Sequence, residues 1–187
     1  GTSIKERDHR RFFSWRLYLA YGNGVIGDLM LHHLDICHFV TGSGMPARIS
    51  ATGGIYHHDD GRTAPDTVSC MLEYPEGFHF NYTTTLCNGH YGLQERYLCT
   101  EGLIEVRGMG QMSIWRRGIE EVVGSNGIRN EPHLEDFFAA MRTRRNPIAP
   151  VTAGFMGAAC CDLAMQALQN GQTIHWDAEK EEPFVLG

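Results

Sequence analysis

The stretch from residue 65 to residue 87 constrains the fold most strongly, because apolar and polar side chains alternate along it. Every second residue from Val68 to Tyr74 is apolar, and the alternation resumes at Phe78 after the turn Pro75-Glu76-Gly77. Strands with one apolar and one polar face are typical of antiparallel sheets that are covered on one side only. The pattern therefore predicts a β-hairpin within an open, mostly antiparallel sheet that has helices on one face.

The rest of the chain supplies both strands and helices, so the predicted fold class is α+β. One helix is predicted at 25–40. Two later helices are also predicted, the first with Pro132 in its first turn and the second capped by Thr152. The segment 4–21 reads as a strand or an ordered loop. Further predicted strands continue the meander and close the chain, at 47–56, 93–99, 103–106, 112–115 and 173–176.

Length and composition fit one domain over residues 1–187. The chain has 187 residues, of which 42% are hydrophobic, enough to bury one sizeable core. Its formal net charge of -6, without a stripe of basic residues, argues against nucleic acid as a partner. No apolar run approaches the length that spans a bilayer, so no membrane partner is expected.

The six cysteines favour a cytoplasmic protein. They show no Cys-x-x-Cys spacing and fall on apolar faces of predicted strands and helices. We expect buried, reduced thiols rather than disulfides.

Residues 22–42 contain the candidate catalytic residues. In a helix over 25–40, Ile26, His33 and Val40 fall on an apolar face, whereas Asp28, His32 and Asp35 fall on another. An imidazole flanked by a carboxylate one turn before and one turn after is oriented and kept basic, as a general base requires. The same set could also be a solvated polar face.

Two metal-site interpretations of these residue types are weaker. A zinc site from Asp28, His32 and His38 would spread its ligands around the helix. Neighbouring residues in the loop at 57–60, which has two histidines and two aspartates, point apart and rarely form a tetrahedral set. We therefore expect no metal site. We expect His33 to be a hydrogen-bonded core histidine. His38 is expected near the end of the helix, where its positive charge interacts favourably with the helix dipole.

Residues 22–27 form a literal Gly-x-Gly-x-x-Gly before a helix. A dinucleotide fingerprint also needs a buried strand before it, a parallel strand after it and an acid about 20 residues on. Those parts are missing, and Asp28 would repel a phosphate in the first turn. The glycines are better explained as a tight turn that lets the helix start close to its neighbours.

The order of short motifs resembles the C-terminal domain of the glucose-fructose oxidoreductase, inositol dehydrogenase and MocA (Gfo/Idh/MocA) family. The most specific motif is Asp28-x-x-x-His32-x-x-Asp35. The others, in order, are Trp15-x-x-Tyr18, Gly53-Gly54-Ile55-Tyr56, Asp60-Gly61-Arg62, Pro65-Asp66-Thr67, Tyr74-Pro75, Thr100-Glu101-Gly102 and Ile174-His175-Trp176-Asp177. The resemblance implies a sheet and helices like those of the glyceraldehyde-3-phosphate dehydrogenase C-terminal domain.

The resemblance also implies a chemical role for the helix. His32 would accept a proton from a substrate hydroxyl while a hydride leaves the same carbon for NAD or NADP, and Asp28 or Asp35 would orient its ring. The substrate would be a sugar, polyol or related compound. Arg16 and Tyr18 are the substrate-contacting pair to test, although their segment could equally be an arm packed by aromatics.

Two departures limit what the resemblance implies. Met30 stands where many relatives have glycine, so substrate identity does not carry over. The family's N-terminal Rossmann domain and its catalytic lysine are not recognisable, since the only lysines are Lys5 and Lys180. We expect the cofactor to be bound mainly by that absent domain, and the isolated chain to bind none and to be inactive.

Two alternative functions stay open. One is a non-catalytic oligomerisation or binding module, in which the uncovered sheet face, with Met71 and Trp115, associates with a second copy. The other is redox-assisted, NAD-dependent glycoside cleavage. A homo-oligomer formed through the sheet is compatible with either.

Overall fold

The computed structural model describes residues 9–108, 111–116, 119–123 and 133–186. The described residues form two compact units, one within Gly1–Asn88 and Pro150–Gly187 and the other within Gly89–Ala149. Predictions that concern residues 1–8 and Pro132 lie outside the described residues.

The regular elements follow one another in this order: α1 (His9–Phe13), a 3₁₀ turn (Trp15–Leu17), a π-helical segment (Ile26–Met30), α2 (Leu31–Thr41), β1 (Arg48–Gly54), β2 (Thr67–Tyr74), β3 (Phe78–Thr85), β4 (Gln94–Cys99), β5 (Gly102–Arg107), β6 (Gln111–Arg116), β7 (Ile119–Val123), α3 (His133–Thr143), α4 (Val151–Asn170), β8 (Ile174–Asp177) and β9 (Glu182–Phe184).

The first unit is built on a five-stranded antiparallel sheet in the order β3-β2-β1-β8-β9. Tyr74 pairs with Phe78 and Cys70 with Tyr82, so the predicted hairpin is confirmed. The buried face of β2 holds every second residue, as the alternation indicated. The terminal strand β9 is not predicted from the sequence, because the tail is acidic in composition. It forms an edge strand of this sheet.

Two helices cover the apolar face of this sheet. Leu34 of α2 and Ala164 of α4 are fully buried together with Ile49 of β1 and Leu72 of β2. The helices approach closely at Gly157, where a Cβ atom would lie 2.6 Å from Leu31 Cδ1. The core of the unit therefore lies between one sheet face and the α2 and α4 pair.

The predicted helix at 25–40 is confirmed, but its buried face differs after Met30. The π-helical segment inserts one extra residue into the turn, which rotates part of the apolar stripe, although Cys37 stays buried. Leu34 is buried where His33 was expected, and Val40 is exposed. His33 is half-buried, with its ring centroid 5.8 Å from that of Tyr82.

His38, rather than His33, is the buried histidine of this helix. Its Nε2 lies 2.8 Å from the Tyr74 hydroxyl, so it does not offer an open charge to the helix end. Burial lowers the pKa of His38, and the nearby charges of Asp35 and Glu76 only partly oppose this. The imidazole is therefore held in its neutral form.

The last helix differs from its prediction at two points. Pro150 precedes its first residue, so Thr152 lies inside the helix and does not cap it. By length and composition α4 could also cross a membrane, which corrects the expectation that no apolar stretch is long enough. Core helices share this property, and the buried side chains of α4 from Cys160 to Ala167 belong to the core of the first unit.

The second unit contains a four-stranded antiparallel sheet in the order β4-β5-β6-β7 together with α3. The expected strands are present, but they do not extend the first sheet as the meander prediction required. Met71 and Trp115 therefore belong to different sheets. Association of copies through the first sheet stays a prediction.

The segment before the glycines differs in part from its prediction. α1 and the 3₁₀ turn are short helical pieces where a strand or loop was expected, whereas residues 18–21 form a loop with a turn. Four of the six cysteines are buried, whereas Cys87 is half-buried and Cys99 is exposed, and all are free thiols. Burial raises the pKa of Cys70, Cys160 and Cys161 to about 12, which keeps those thiols protonated.

We predict that Gly24→Ala destabilises the chain by about 1–3 kcal/mol. Gly24 has a φ of +53°, and a Cβ atom there would lie 2.9 Å from the Ala64 Cβ. Thermal and urea unfolding measure the change. Gly44→Ala is the matched control, since Gly44 has an ordinary φ and open space around it. Equal stability of the two variants would contradict the prediction.

We predict that His38 makes the chain less stable in mild acid. The pKa of His38 is lower in the folded chain than its unfolded value of 6.5, so its stabilisation is present above that value and is lost as the pH falls through the folded pKa. Unfolding measured from about pH 7.5 to about pH 5 should show a shallower loss for His38→Gln than for the parent chain. Parallel curves would refute the assignment.

Candidate functional site

A cleft of about 460 Å³ lies beside the beginning of the helix that leads into α2. Its lining combines three charged side chains with an apolar wall. The lining residues are Arg16, Leu17, Gly24, Val25, Asp28, Leu29, Arg62, Ala64, Pro65 and Leu86. All of them belong to the first unit.

Backbone hydrogen bonds hold two walls of the cleft together. The Leu17 carbonyl accepts from the amides of Thr63 and Ala64, at 2.9 and 3.0 Å. The Thr63 hydroxyl in turn accepts from the Leu19 amide at 2.8 Å. The 3₁₀ turn and the loop between β1 and β2 therefore form one continuous rim.

Asp28 and Arg16 form an ion pair in this cleft. Arg16 Nε lies 3.2 Å from Asp28 Oδ2, and the Arg16 guanidinium stacks 4.2 Å from the Trp15 ring centre. Asp28 projects from the π-helical segment, a distortion that is frequent at functional sites. Both partners are partly exposed, so the pair orients the carboxylate more than it stabilises the fold.

His32 and Asp35 lie on exposed positions of α2. Within the described residues, the His32 side chain makes no hydrogen bond or ion pair, while Asp28 is engaged by Arg16 and the Asp35 charge acts on His38. The structure thus brings the predicted acids and histidine onto one helix without linking them. The roles assigned to the three residues stay predictions.

Tyr18 is buried and is absent from the cleft lining, unlike Arg16. Its ring lies 5.2 Å from the Arg11 guanidinium and packs edge-on against Tyr21. The structure therefore separates the predicted substrate-contacting pair: Arg16 reaches the cleft, whereas Tyr18 packs within the aromatic arm. A role for Tyr18 with substrate remains a prediction.

Arg62 is the charged residue of the cleft to which the sequence analysis assigns no role. Its side chain is only 7% exposed, and it donates from Nε and Nη2 to the two oxygens of Asp60, each at 2.9 Å. The hydrogen bond from Arg62 holds the pKa of Asp60 well below its usual range and raises that of Arg62. Asp60-Gly61-Arg62 was a usable signal, since Gly61 has a φ of +76° and lets the chain turn back.

Asp66 organises the loop behind the cleft and is fully buried. Its carboxylate accepts from the amides of Tyr56, His57 and His58 at 3.0–3.1 Å, and from the Thr67 hydroxyl at 3.0 Å. Burial alone would oppose ionisation, but these donors outweigh it and hold the pKa of Asp66 well below its usual range. Asp66 is thus a buried anion that fixes the backbone.

His58, Asp66 and Cys87 place their ligand atoms within 4.8 Å of one another in the described part of the chain. A metal ion does not fit this group well, because Asp66 already accepts from three amides and a hydroxyl and has His58 Nδ1 at 3.3 Å. Its carboxylate has no lone pair left for a cation. The contacts fit a hydrogen-bonded loop anchor.

The first glycines of the helix do not fit a dinucleotide. The 3₁₀ turn lies where a dinucleotide-binding fingerprint requires a strand, and Gly24 packs closely against Ala64. The expectation of a tight turn with close packing agrees with this geometry. The described residues show no other glycine-rich turn between a strand and a helix.

Sequence comparison identifies a family. The model of the GFO/IDH/MocA C-terminal domain matches residues 3–105, more than half of the chain. A search of curated proteins found no match.

Solved structures share the fold. An aldose-aldose oxidoreductase from Caulobacter crescentus, solved with glycerol, is 19% identical, with a TM-score of 0.72 over 86% of this chain and 50% of its own. UDP-N-acetylglucosamine 3-dehydrogenase from Acidithiobacillus ferrooxidans is 22% identical, with a TM-score of 0.67 over 78% of this chain and 47% of its own.

A third structure carries a cofactor. An oxidoreductase from Agrobacterium radiobacter, in complex with NAD+, L-tartaric acid and magnesium, is 14% identical, with a TM-score of 0.67 over 90% of this chain and 53% of its own. The chain thus spans about half the length of these proteins. Their likeness confirms the predicted α+β class with an open antiparallel sheet.

We predict that Asp66→Asn destabilises the chain by about 1–3 kcal/mol, because an amide cannot accept as many hydrogen bonds from the loop backbone. Thermal unfolding measures the change, and hydrogen exchange should show faster exchange at the amides of residues 56–58. Asp59→Asn is the matched control, since Asp59 is exposed. Unchanged exchange at these amides in Asp66→Asn would count against the anchor.

Proposed function

This chain belongs to the GFO/IDH/MocA family of oxidoreductases, matching its C-terminal domain, and we propose that it is the substrate-binding and catalytic part of an NAD(P)-dependent enzyme. Its substrate would be a sugar, polyol or related hydroxylated compound. The observation that carries the proposal is the position of the family's acid-histidine helix. Asp28, at the start of that motif, lines a cleft large enough for such a compound.

The names of the solved relatives support the substrate class. One is named for a reaction between aldoses and another for the oxidation of a nucleotide sugar, while a third was solved with NAD+. The nicotinamide, when bound, supplies the hydride acceptor. Since the glycines at 22–27 do not suit its pyrophosphate, we propose that a separate nucleotide-binding domain holds it.

The proposed chemistry assigns the proton to His32. Removal of the hydroxyl proton as the hydride leaves avoids a positively charged carbon, and a positioned base typically contributes about 10²–10⁴ in rate. His32 follows Asp28 by one helical turn and is accessible on α2. Its side chain is not committed to another described residue, which leaves both ring nitrogens available for a substrate hydroxyl.

Asp28 would contribute through its charge. Arg16 fixes one of its oxygens, Oδ2, at 3.2 Å. The other oxygen can accept from a second substrate hydroxyl, or can orient the imidazolium that forms on His32. Asp35, one turn after His32, would stabilise the same positive charge from the opposite side.

We predict that His32→Ala lowers the turnover number about 10²–10⁴-fold in the enzyme formed by this chain and its nucleotide-binding domain. Oxidation of a panel of sugars and polyols, followed by NADH or NADPH absorbance, measures it. Cofactor affinity should not change, because His32 acts on the substrate.

His79→Ala is the control, since His79 is an exposed histidine on β3. A His32→Ala enzyme that keeps parental turnover would move the base to another residue. Loss of turnover with an equal loss in His79→Ala would indicate damage to the fold instead.

A further inference from the structure

The Arg62 guanidinium has donors that the protein does not use. Arg62 has five N–H groups, and its contacts to Asp60 use the Nε and Nη2 edge. Across the described ranges, no residue accepts a hydrogen bond from Nη1. Nη1 is not among the buried atoms that lack a hydrogen-bond partner, so it reaches solvent, where a ligand oxygen can take the place of water.

Arg62 lines the cleft although its side chain is only 7% exposed, so the cleft is where a ligand can meet this guanidinium. Its position is fixed from behind by the two-point contact with Asp60. A preorganised fork of this kind binds carboxylate or phosphate oxygens better than a mobile surface cation does, because less side-chain entropy is lost on binding.

The local charges do not oppose an anion. Asp60 faces two guanidinium groups, because Arg10 lies 3.9 Å from its carboxylate and also donates to its backbone carbonyl. Asp28 faces Arg16. The three arginines are balanced by Asp28, Asp60 and the buried Asp66, whose charge also acts on Arg62, so these groups carry no net negative charge that would repel an anion.

The rest of the cleft suits the carbon skeleton of a small ligand. Its wall is apolar, with Leu17, Val25, Leu29, Ala64, Pro65 and Leu86. Asp28 is the acceptor available to a hydroxyl group. The lining therefore presents one cationic anchor, one hydroxyl acceptor and an apolar wall.

We propose that Arg62 anchors an anionic group of the substrate, a carboxylate or a phosphate, so that the enzyme acts on hydroxylated acids or sugar phosphates in preference to neutral polyols. The assignment of this ligand as the substrate rests on the proposed function. The anion site itself is a binding property and needs no turnover.

The test uses the 187-residue chain and compares three probes that differ in charge. Gluconate carries a carboxylate, glucose 6-phosphate carries a phosphate, and glucose carries neither. The Arg62 Nε–Hε signal, assigned in ¹H–¹⁵N spectra by its loss in Arg62→Lys, reports binding at the anchor. We expect one or both anions to bind about 10-fold to 100-fold more tightly than glucose.

The two anions distinguish the source of the charge, because the tighter one identifies carboxylate or phosphate as the preferred group. Arg62→Gln should lose about 10-fold to 100-fold in affinity for that anion while its affinity for glucose is unchanged. Arg48→Gln is the matched control, since Arg48 forms its ion pair with Glu73 across β1 and β2. Arg62→Lys keeps the charge without the fork and should bind at an intermediate level.

Equal binding of glucose and both anions would overturn the proposal, as would absence of any shift at the Arg62 signal up to tens of millimolar. So would an affinity loss in Arg48→Gln equal to that in Arg62→Gln. Melting curves establish that each variant is folded, and the comparison of probes on the parent chain stands without the variants. If anions bind at this site but no oxidoreductase turnover is found, only the proposed function is refuted. If the enzyme turns over neutral polyols alone, only the preference for anionic substrates is refuted.

Discussion

The close contact between Gly24 and Ala64 determines where the cleft lies. Gly24 begins the helix at a positive φ, and its missing side chain leaves room for the Ala64 methyl group. The same loop is bonded to the Leu17 carbonyl. Three segments that are distant in sequence are therefore held at one corner, and the cleft is the space that remains between their side chains.

The π-helical segment connects this corner to the core. It lets Ile26 and Met30 stay buried and still brings Leu34 onto the same face. The wide turn also changes the hydrogen bonding of the helix, and the Cys161 thiol of α4 donates to the Ile26 carbonyl at 3.4 Å. The distortion is thus supported from α4 while Asp28 faces the cleft on the other side.

Carboxylates order the connection between β1 and β2, which has no regular structure of its own. Asp66 accepts hydrogen bonds from the amides of residues 56–58, and Asp60 accepts two hydrogen bonds from the Arg62 guanidinium. A loop of this length needs such anchors, because an ordered backbone without a ladder partner must satisfy its polar groups locally. The charge at the cleft follows from the same arrangement, since Arg62 is fixed as part of the loop.

Local patterning in the sequence determined the hairpin at 65–87, the helix at 25–40 and the family, because alternation and the order of motifs are properties of neighbouring residues. The same patterning failed where a residue's surroundings came from elsewhere. His38 is buried instead of His33 because a π-helical turn depends on what packs against it. The partition of strands between two sheets depends on long-range pairing. Only the tertiary structure brought Arg62 to Asp28 and Arg16, since burial and charge at the cleft are set by segments far apart in the chain.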